Sequence, residues 1–204
     1  MAMPIELRTA RLLLRPWRAD DAPALLPILA ANWAHLGPWI PARVATPVPE
    51  PELAERLAGF AAEFAADREW RYGMFEPNGT TVLGEVGLYP RSAAARASYA
   101  EADRVELGYW LRADATGQGL VTEASRAVLA AAATLPHLSH VEIRCDARNA
   151  PSAAIPRRLG FVLESTVSQP AVVPNDPPIA LQVWTTPLST LTDIPRGTGT
   201  ARDI

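Results

Sequence analysis

Apolar residues recur along the chain with two different spacings, and the order of these spacings predicts the secondary structure. Alternating or continuous apolar stretches predict strands around residues 12–14 and in RYGMFE, TTVLGEVGLYP, VELGYWLR, HVEIRCDA, FVLESTV and IALQVWTTP. Helical spacing predicts helices over residues 22–31, in VPEPELAERLAGFAAEFAADREW, in the alanine-rich segment after Gly119 and in NAPSAAIPRRLGF. The order β-α-α-β-β-β-α-β-α-β-β indicates an α/β fold with a mixed sheet, not a doubly wound parallel one.

The same patterns predict one domain over residues 1–188. The chain has 204 residues, enough for one domain with a full core, and it contains neither an internal repeat nor a linker. Residues 90–104 have the composition of an exposed loop before the strand VELGYWLR. Residues 189–204 lack any packing pattern, so we expect them to form a flexible tail.

Composition excludes several classes of function. The 19 basic residues are all arginine, so Schiff-base chemistry and a P-loop lysine are excluded. Cys145 is the single cysteine, and three histidines lack the spacing of metal ligands, so no metal is expected. A net charge of −3 argues against nucleic acid as the main ligand. Without a membrane-length apolar run or a signal peptide, we expect a soluble, cytoplasmic protein that binds no membrane.

The segment LRADATGQGL places two glycines where a strand passes into a helix. Glycine allows a close backbone approach, and the first turn of a helix presents unpaired N–H groups. Such a turn is a natural site for an anion, most often a phosphate. An ordinary strand-to-helix turn would have the same pattern, so the glycines alone leave the function open.

Three segments in chain order resemble the GCN5-related N-acetyltransferases (GNAT). They are ANWAHLGPWIP, the loop Asp114-x-x-Gly117-x-Gly119, and the segment RNAPSAAIPRRLGF with its Asn-x-x-Ser helix. The first of these is similar to the branch that acetylates ribosomal-protein N-termini (RimJ/RimL-type). Over residues 5–188 the resemblance implies a single mixed, mostly antiparallel sheet flanked by helices, with acetyl-CoA as co-substrate. Two departures are Asp114, where much of the family has arginine or glutamine, and Pro156, which should kink its helix.

The resemblance implies a set of CoA contacts. Backbone N–H groups of the glycine loop would cradle the pyrophosphate, while the end of the preceding strand and the Asn-x-x-Ser helix would bind pantetheine. The N–H of Leu111 would also face the thioester carbonyl, and Ser152 would lie near the sulfur, unless it serves only as a helix N-cap. Arg157 and Arg158 could reach the 3′-phosphate or form a solvated helix face. The residues assigned to CoA are Leu111, Arg112, Thr116, Gly117, Gln118, Gly119, Leu120, Asn149, Ser152 and Arg158.

The sequence contains fewer matches to a known motif for the amine acceptor than for CoA. An amine attacks only when neutral, so a base is needed, and Glu106 is the position that the family often uses. Glu85 on the adjacent strand is the second candidate, and either carboxylate could instead be a rim charge or a buried structural partner. The next acid after FVLES is Asp176, which does not match the branch's usual base. Trp33, His35, Trp39 and Tyr109 are expected along the acceptor groove, with a core role equally open, and Cys145 is expected to be buried and inert.

These expectations combine into one hypothesis with two alternatives. The chain would be an N-acetyltransferase in which an amine attacks acetyl-CoA directly in a ternary complex, with Glu106, Ser152 and the Leu111 N–H as the catalytic groups. The acceptor would be a protein or peptide α-amine, or alternatively a small-molecule amine such as an antibiotic or a polyamine. A non-catalytic CoA-binding sensor is the rival of another class. The chain could be a monomer or a homodimer.

Overall fold

The computed structural model describes residues 2–93, 95–170 and 178–191. These residues form eight strands and five helices in the order predicted, with one short strand and one single-turn helix added. The elements are β1 (Leu7–Arg8), β2 (Leu13–Pro16), α1 (Ala22–Leu36), α2 (Ala42–Ala45), α3 (Glu50–Ala65), β3 (Trp70–Phe75), β4 (Val82–Arg91), β5 (Arg104–Leu111), α4 (Leu120–Ala132), β6 (His140–Asp146), α5 (Ala150–Arg158), β7 (Val162–Gln169) and β8 (Ile179–Pro187).

The strands form one sheet in the order β1-β2-β3-β4-β5-β6-β8-β7. Every neighbouring pair among these described strands is antiparallel except β5 and β6, which are parallel. This arrangement confirms the predicted fold class, a single mixed and mostly antiparallel sheet flanked by helices. Parallel neighbours need a long crossover, and α4 supplies it between β5 and β6.

The parallel pair separates soon after it begins. Only Arg104, Val105 and Glu106 of β5 are in register with β6, opposite residues 140–142. Beyond this point β5 continues to Leu111 along β4, and β6 continues to Asp146 along β8. The two strands therefore diverge, and a gap opens between their carboxyl-terminal halves.

Hydrophobic clusters cover both faces of the sheet. One face packs against α4 through residues such as Val86, Leu107 and Val128. The other carries a second cluster in which Trp17 and Trp110 pack with buried leucines of α1 and α3. Because side chains alternate along a strand, Tyr109 and Trp110 lie on opposite faces.

Three boundaries differ from the sequence-based expectation. Helix α1 extends beyond residue 31 to Leu36, which is buried against the second cluster. The stretch 90–104 is only partly a loop, because β4 runs to Arg91 and Ala102 is buried. Leu188–Leu191 forms a 3-10 turn with Leu188 and Leu191 buried, so the packed chain extends past residue 188. The remainder of the predicted tail, residues 192–204, lies outside the described residues, as does Asp176.

Candidate active site

The loop between β5 and α4 has the backbone of an anion cradle. Gly117 and Gly119 have φ angles of +76° and +77°, in the left-handed region that glycine adopts without strain. Gly119 is the N-cap of α4, so the loop's N–H groups run directly into the unpaired N–H groups of the helix. Ala115 and Leu120 are buried on either side and anchor the loop, while residues 116–119 are exposed. This is the geometry in which successive N–H groups bind phosphate.

Side chains within the loop form hydrogen bonds inside the protein. Arg112 pairs with Asp114 at 2.7 Å from Nε to Oδ1, which directs that carboxylate to an arginine. Thr116 Oγ1 donates to the carbonyl of Ala113 at 2.7 Å, and Gln118 Nε2 donates to that of Asp114 at 3.3 Å. Any anion in the cradle would therefore meet backbone groups first.

Arg11, which sequence reasoning missed, connects the first hairpin to the glycine loop. Its Nη1 donates to the carbonyl of Gln118 at 2.9 Å, and its Nη2 lies 2.6 Å from Oε2 of Glu123 in α4. Thr9 Oγ1 donates to the other oxygen of Glu123 at 2.6 Å. Burial opposes ionisation of Glu123, yet the hydrogen bonds from Thr9 and Arg11 outweigh it and lower its pKa. Thr9 and Arg11 lie in the connection between β1 and β2, and their contact with α4 spans more than 100 residues of sequence, so no local pattern predicts it.

Asn32 of α1 is a second contact that the sequence analysis did not identify. Its Oδ1 accepts from the backbone N–H of Ala113 at 2.7 Å, and its Nδ2 donates to the carbonyl of Ile28 at 2.9 Å. Beside it, a cavity of about 370 Å³ lies between α1 and residues 112–114. An asparagine inside an alanine-rich helix is a weak helix former, which was a possible signal for a tertiary role.

The backbone of Leu111 faces the gap between β5 and β6. The N–H of Arg112 donates to the carbonyl of Leu83 on β4 at 2.9 Å. Because successive residues of a strand point their N–H groups to opposite sides, the N–H of Leu111 is directed away from β4. Beneath it, a Cβ added to Gly84 would overlap the backbone of Trp110 and Leu111. The backbones of β4 and β5 thus approach closely at Gly84, where a side chain would not fit without a shift.

The start of α5 lies on the other side of this gap. Asn149 is the N-cap of α5, and its Oδ1 accepts from the N–H of Ser152 at 3.1 Å. The N-cap alternative for Ser152 is therefore wrong, since Asn149 occupies that position. Ser152 is half-buried and lies within 3.4 Å of the Tyr109 hydroxyl. Burial raises the pKa of Tyr109.

Tyr109 does not lie with Trp33 and Trp39. It packs with the cluster that covers the α4 face, and its hydroxyl donates to the carbonyl of Ser152 at 3.0 Å. Strand alternation directs Tyr109 away from the face covered by α1, and its packing corresponds to the core alternative.

Glu106 lies at the point where the strands separate. It is the last residue of β5 in register with β6, and it is about one-sixth exposed. Its Oε2 accepts from Arg91 Nη1 at 2.8 Å, and its Oε1 is 3.5 Å from Arg96 Nη2. The side chain is therefore near the gap but is held in ion pairs with two arginines.

Glu85 has the surroundings of a structural carboxylate. It is 4% exposed, Oε2 accepts from Trp17 Nε1 at 2.7 Å, and Oε1 accepts from Arg71 Nη1 at 2.8 Å. Both oxygens already have buried donors, which corresponds to the buried-partner alternative and not to contact with an acceptor. Arg71 Nε also lies 2.8 Å from Oε2 of Glu69, so removing Glu85 would leave this buried cation with one carboxylate in place of two.

The aromatic residues in the last turn of α1 and just after it are exposed. Trp33 and Trp39 are 43% and 40% exposed, and His35 is also exposed. Positions 33 and 35 project in different directions because residues two apart do not share a helix face. On α5, the guanidinium of Arg157 lies over the Trp184 ring at 5.0 Å, whereas Arg158 is exposed. Cys145 is buried, as predicted, and burial raises the pKa of its thiol.

The fold and these contacts can now be compared with known proteins. The family model described as an acetyltransferase (GNAT) domain matches residues 11–162, so the chain belongs to the GNAT acetyltransferase family. This match confirms the resemblance inferred from the three sequence segments. A curated Bacillus subtilis protein, YdaF, named as a candidate ribosomal N-acetyltransferase, is 33% identical over 101 residues. The match covers 47% of this chain and about half, 53%, of that relative.

Solved structures of similar fold cover most of the chain. A RimL ribosomal L7/L12 alpha-N-protein acetyltransferase with coenzyme A is 20% identical, with a TM-score of 0.74 over 92% of this chain and 98% of its own. Mycobacterium smegmatis RimJ with a CoA disulfide is 22% identical, with a TM-score of 0.72 over 88% and 83%. The microcin C7 self-immunity acetyltransferase MccE, with acetyl-CoA and AMP, is 18% identical, with a TM-score of 0.74 over 88% and 93%.

Two further observations concern the described residues alone. Within 2–93, 95–170 and 178–191, no helix is both long and apolar enough to cross a bilayer. The same residues contain no group of three or more histidine, cysteine, aspartate or glutamate side chains that could hold a metal ion.

Proposed function

We propose that this chain is an acetyl-CoA-dependent N-acetyltransferase whose acceptor is a primary amine, most simply the N-terminal amine of a protein or peptide. The observation that carries the proposal is the gap between β5 and β6, which extends from Glu106 towards the glycine cradle. A pantetheine arm is a narrow, extended chain of amides, and a parted strand pair offers it free backbone donors and acceptors. Membership of the GNAT family supports the same ligand.

The glycine cradle and the gap between β5 and β6 would bind different parts of acetyl-CoA. The pyrophosphate would bind the N–H groups of residues 117–120, and pantetheine would run along β5 past Arg112 and Leu111. Asn149 would contact the pantetheine amide, and Ser152 would lie at the sulfur. The Leu111 N–H would donate to the thioester oxygen as negative charge develops there, an interaction that can lower the barrier by roughly 3–4 kcal/mol.

Glu106 is the proposed proton acceptor. The neutral amine attacks the thioester carbon, a C–N bond forms, and the carbonyl electrons move onto the oxygen beside Leu111. When the tetrahedral intermediate collapses, the C–S bond breaks and CoA leaves as a thiolate. The ammonium proton passes to Glu106 directly or through water. The Ser152 hydroxyl can donate a hydrogen bond to the departing thiolate, which then takes its proton from solvent. Arg91 and Arg96 would hold the Glu106 carboxylate in place during these steps.

The acceptor class is inferred from the relatives and from the exposed end of α1. RimL is named for a protein N-terminus, and YdaF is named as a candidate ribosomal N-acetyltransferase. Trp33 and Trp39 would provide apolar surface for the first residues of a peptide. The second candidate is a small-molecule amine, which the structural likeness to the self-immunity enzyme MccE favours.

A thiol-release assay tests the proposal. Acetyl-CoA consumption would be followed against N-terminal peptides, polyamines and aminoglycosides, with CoA binding measured by calorimetry in the same preparation. Turnover with peptides supports the proposal, while turnover with small amines alone supports the second candidate. Absence of CoA binding would refute both, and tight CoA binding without turnover would favour a sensor.

A further inference from the structure

Pro156 leaves one carbonyl of α5 without its usual donor. Proline has no N–H, so the helical hydrogen bond from residue 156 to the carbonyl of Ser152 cannot form. The Tyr109 hydroxyl donates to that carbonyl at 3.0 Å instead. A side chain from β5 thus replaces a missing backbone bond on the far side of the gap.

The same hydroxyl also bonds to the side chain of Ser152. Ser152 Oγ donates to Tyr109 Oη at 3.4 Å, while the Ser152 N–H donates to Asn149 at 3.1 Å. The carbonyl, the amide and the hydroxyl of Ser152 are therefore all engaged. Two of these three contacts come from Tyr109, which lies on the strand that separates from β6.

We infer that Tyr109 is a positioning residue that holds Ser152 at the thioester sulfur, in a role that Pro156 makes necessary. The inference rests on the proposed function, because it takes the sulfur to lie beside Ser152. Tyr109 would set both the direction of the Ser152 hydroxyl and the distance between α5 and β5. A tyrosine hydroxyl is protonated at neutral pH and can donate, and burial raises the pKa of Tyr109 further.

The test is a double-mutant cycle of Tyr109→Phe and Pro156→Ala. Tyr109→Phe removes the hydroxyl, and we expect kcat to fall about tenfold with the KM for acetyl-CoA changed less than twofold. The melting temperature should fall by about 3 °C. Pro156→Ala supplies an N–H for the Ser152 carbonyl. In that background, the losses of kcat and of melting temperature caused by Tyr109→Phe should therefore each be less than half as large.

Two further variants separate positioning from general stability. Tyr72 is buried and its hydroxyl donates to the carbonyl of Pro4 at 2.6 Å, so Tyr72→Phe is a matched loss of one bond away from the gap. It should lower the melting temperature similarly and leave kcat unchanged. In a Ser152→Ala background, Tyr109→Phe should have no further effect on kcat.

Each outcome bears on the inference separately from the proposed function. Equal effects of Tyr109→Phe on melting with and without Pro156→Ala would overturn it, whether or not the protein binds CoA. The inference would also be overturned if kcat were unchanged in Tyr109→Phe, or if kcat fell as far in Tyr72→Phe as in Tyr109→Phe. Failure of the proposed function would appear instead as absent CoA binding in the unaltered protein.

Discussion

The glycine loop and the sheet face around Glu106 contain the two halves of the proposed chemistry, and they are built in opposite ways. In the loop, backbone N–H groups are exposed while side chains such as Arg11 and Asn32 hold the chain from behind. On the sheet face, the proposed base Glu106 is paired with Arg91 and Arg96, and the structural carboxylate Glu85 is paired with Arg71. One site uses the main chain for binding, and the other uses side chains that also maintain the fold.

This difference determines how each region responds to mutation. A backbone site is damaged by what a new side chain adds, through strain, bulk or charge at a glycine. A site made of paired side chains is damaged by what a mutation removes, because the remaining partner is left charged and unpaired.

The largest effect is expected for Gly117→Glu. A side chain at a φ of +76° carries strain of about 1–2 kcal/mol, and a carboxylate beside the cradle repels the pyrophosphate. We expect CoA affinity, measured by calorimetry, to fall roughly a hundredfold or more. Gly79→Glu is the matched control, since Gly79 also has a φ of +76° but lies in the β3–β4 turn. Equal loss of affinity in both variants, or in neither, would contradict the cradle.

Glu106 and Glu85 should respond differently to removal of their charge. Glu106→Gln should lower kcat about a hundredfold, shift the pH profile of kcat and leave CoA affinity intact. Glu85→Gln leaves buried Arg71 with Glu69 as its one remaining carboxylate partner, so it should lower the free energy of unfolding by about 1.5–3 kcal/mol. Denaturant unfolding and steady-state kinetics would measure the two effects, with exposed Glu55→Gln as the control. If Glu106→Gln alters only stability, Glu106 is not the base.

A smaller effect is expected for Gly84→Ala. The added Cβ would collide with the backbone of Trp110 and Leu111, so β5 must shift, at a cost of about 1–3 kcal/mol in stability. Because the Leu111 N–H shifts too, we expect kcat to fall about tenfold while CoA still binds. Gly59→Ala, in open space on α3, should leave kcat unchanged. A Gly84→Ala variant with normal turnover would remove Leu111 from the mechanism.

The smallest effect is expected for Arg11→Ala, because its guanidinium is about half exposed. Loosening the loop should raise the KM for acetyl-CoA about fivefold and leave kcat nearly unchanged. Arg8→Ala, which breaks an exposed pair with Glu6, should change neither parameter. A fall in kcat with an unchanged KM would indicate that Arg11 acts elsewhere.

The Arg11 contact should also depend on pH. The pKa of Glu123 is lowered in the folded state, so its contribution to stability is present above the ordinary value of 4.5. That contribution is lost as the pH falls through the lower, folded-state pKa. Stability measured between pH 6 and pH 3 should therefore decline less in Glu123→Gln than in the unaltered protein.

Much of the fold followed from local patterns. The strand and helix order, the glycine turn and the helix containing Ser152 could be predicted because spacing, glycine and capping residues act over a few positions. The end of α1 was harder to predict, because burial of Leu36 against distant residues extends the helix. Strand Leu7–Arg8 was missed because two residues are too few to show a period.

In the candidate site, too, some features could be predicted from local sequence and others could not. Sequence alone located the glycine turn at which the cradle is proposed, since a backbone site depends on residues next to one another in the chain. Only the tertiary structure decided that Glu85 is paired with Arg71 and Trp17, that Arg11 holds Gln118, and that Tyr109 replaces the bond lost at Pro156. These partners are brought together by strand pairing across the sheet or by packing between distant elements. The physical reason is that the direction, burial and partner of a side chain depend on how strands and helices pack. That packing involves residues far apart in the chain, so the neighbouring residues in the sequence do not specify it.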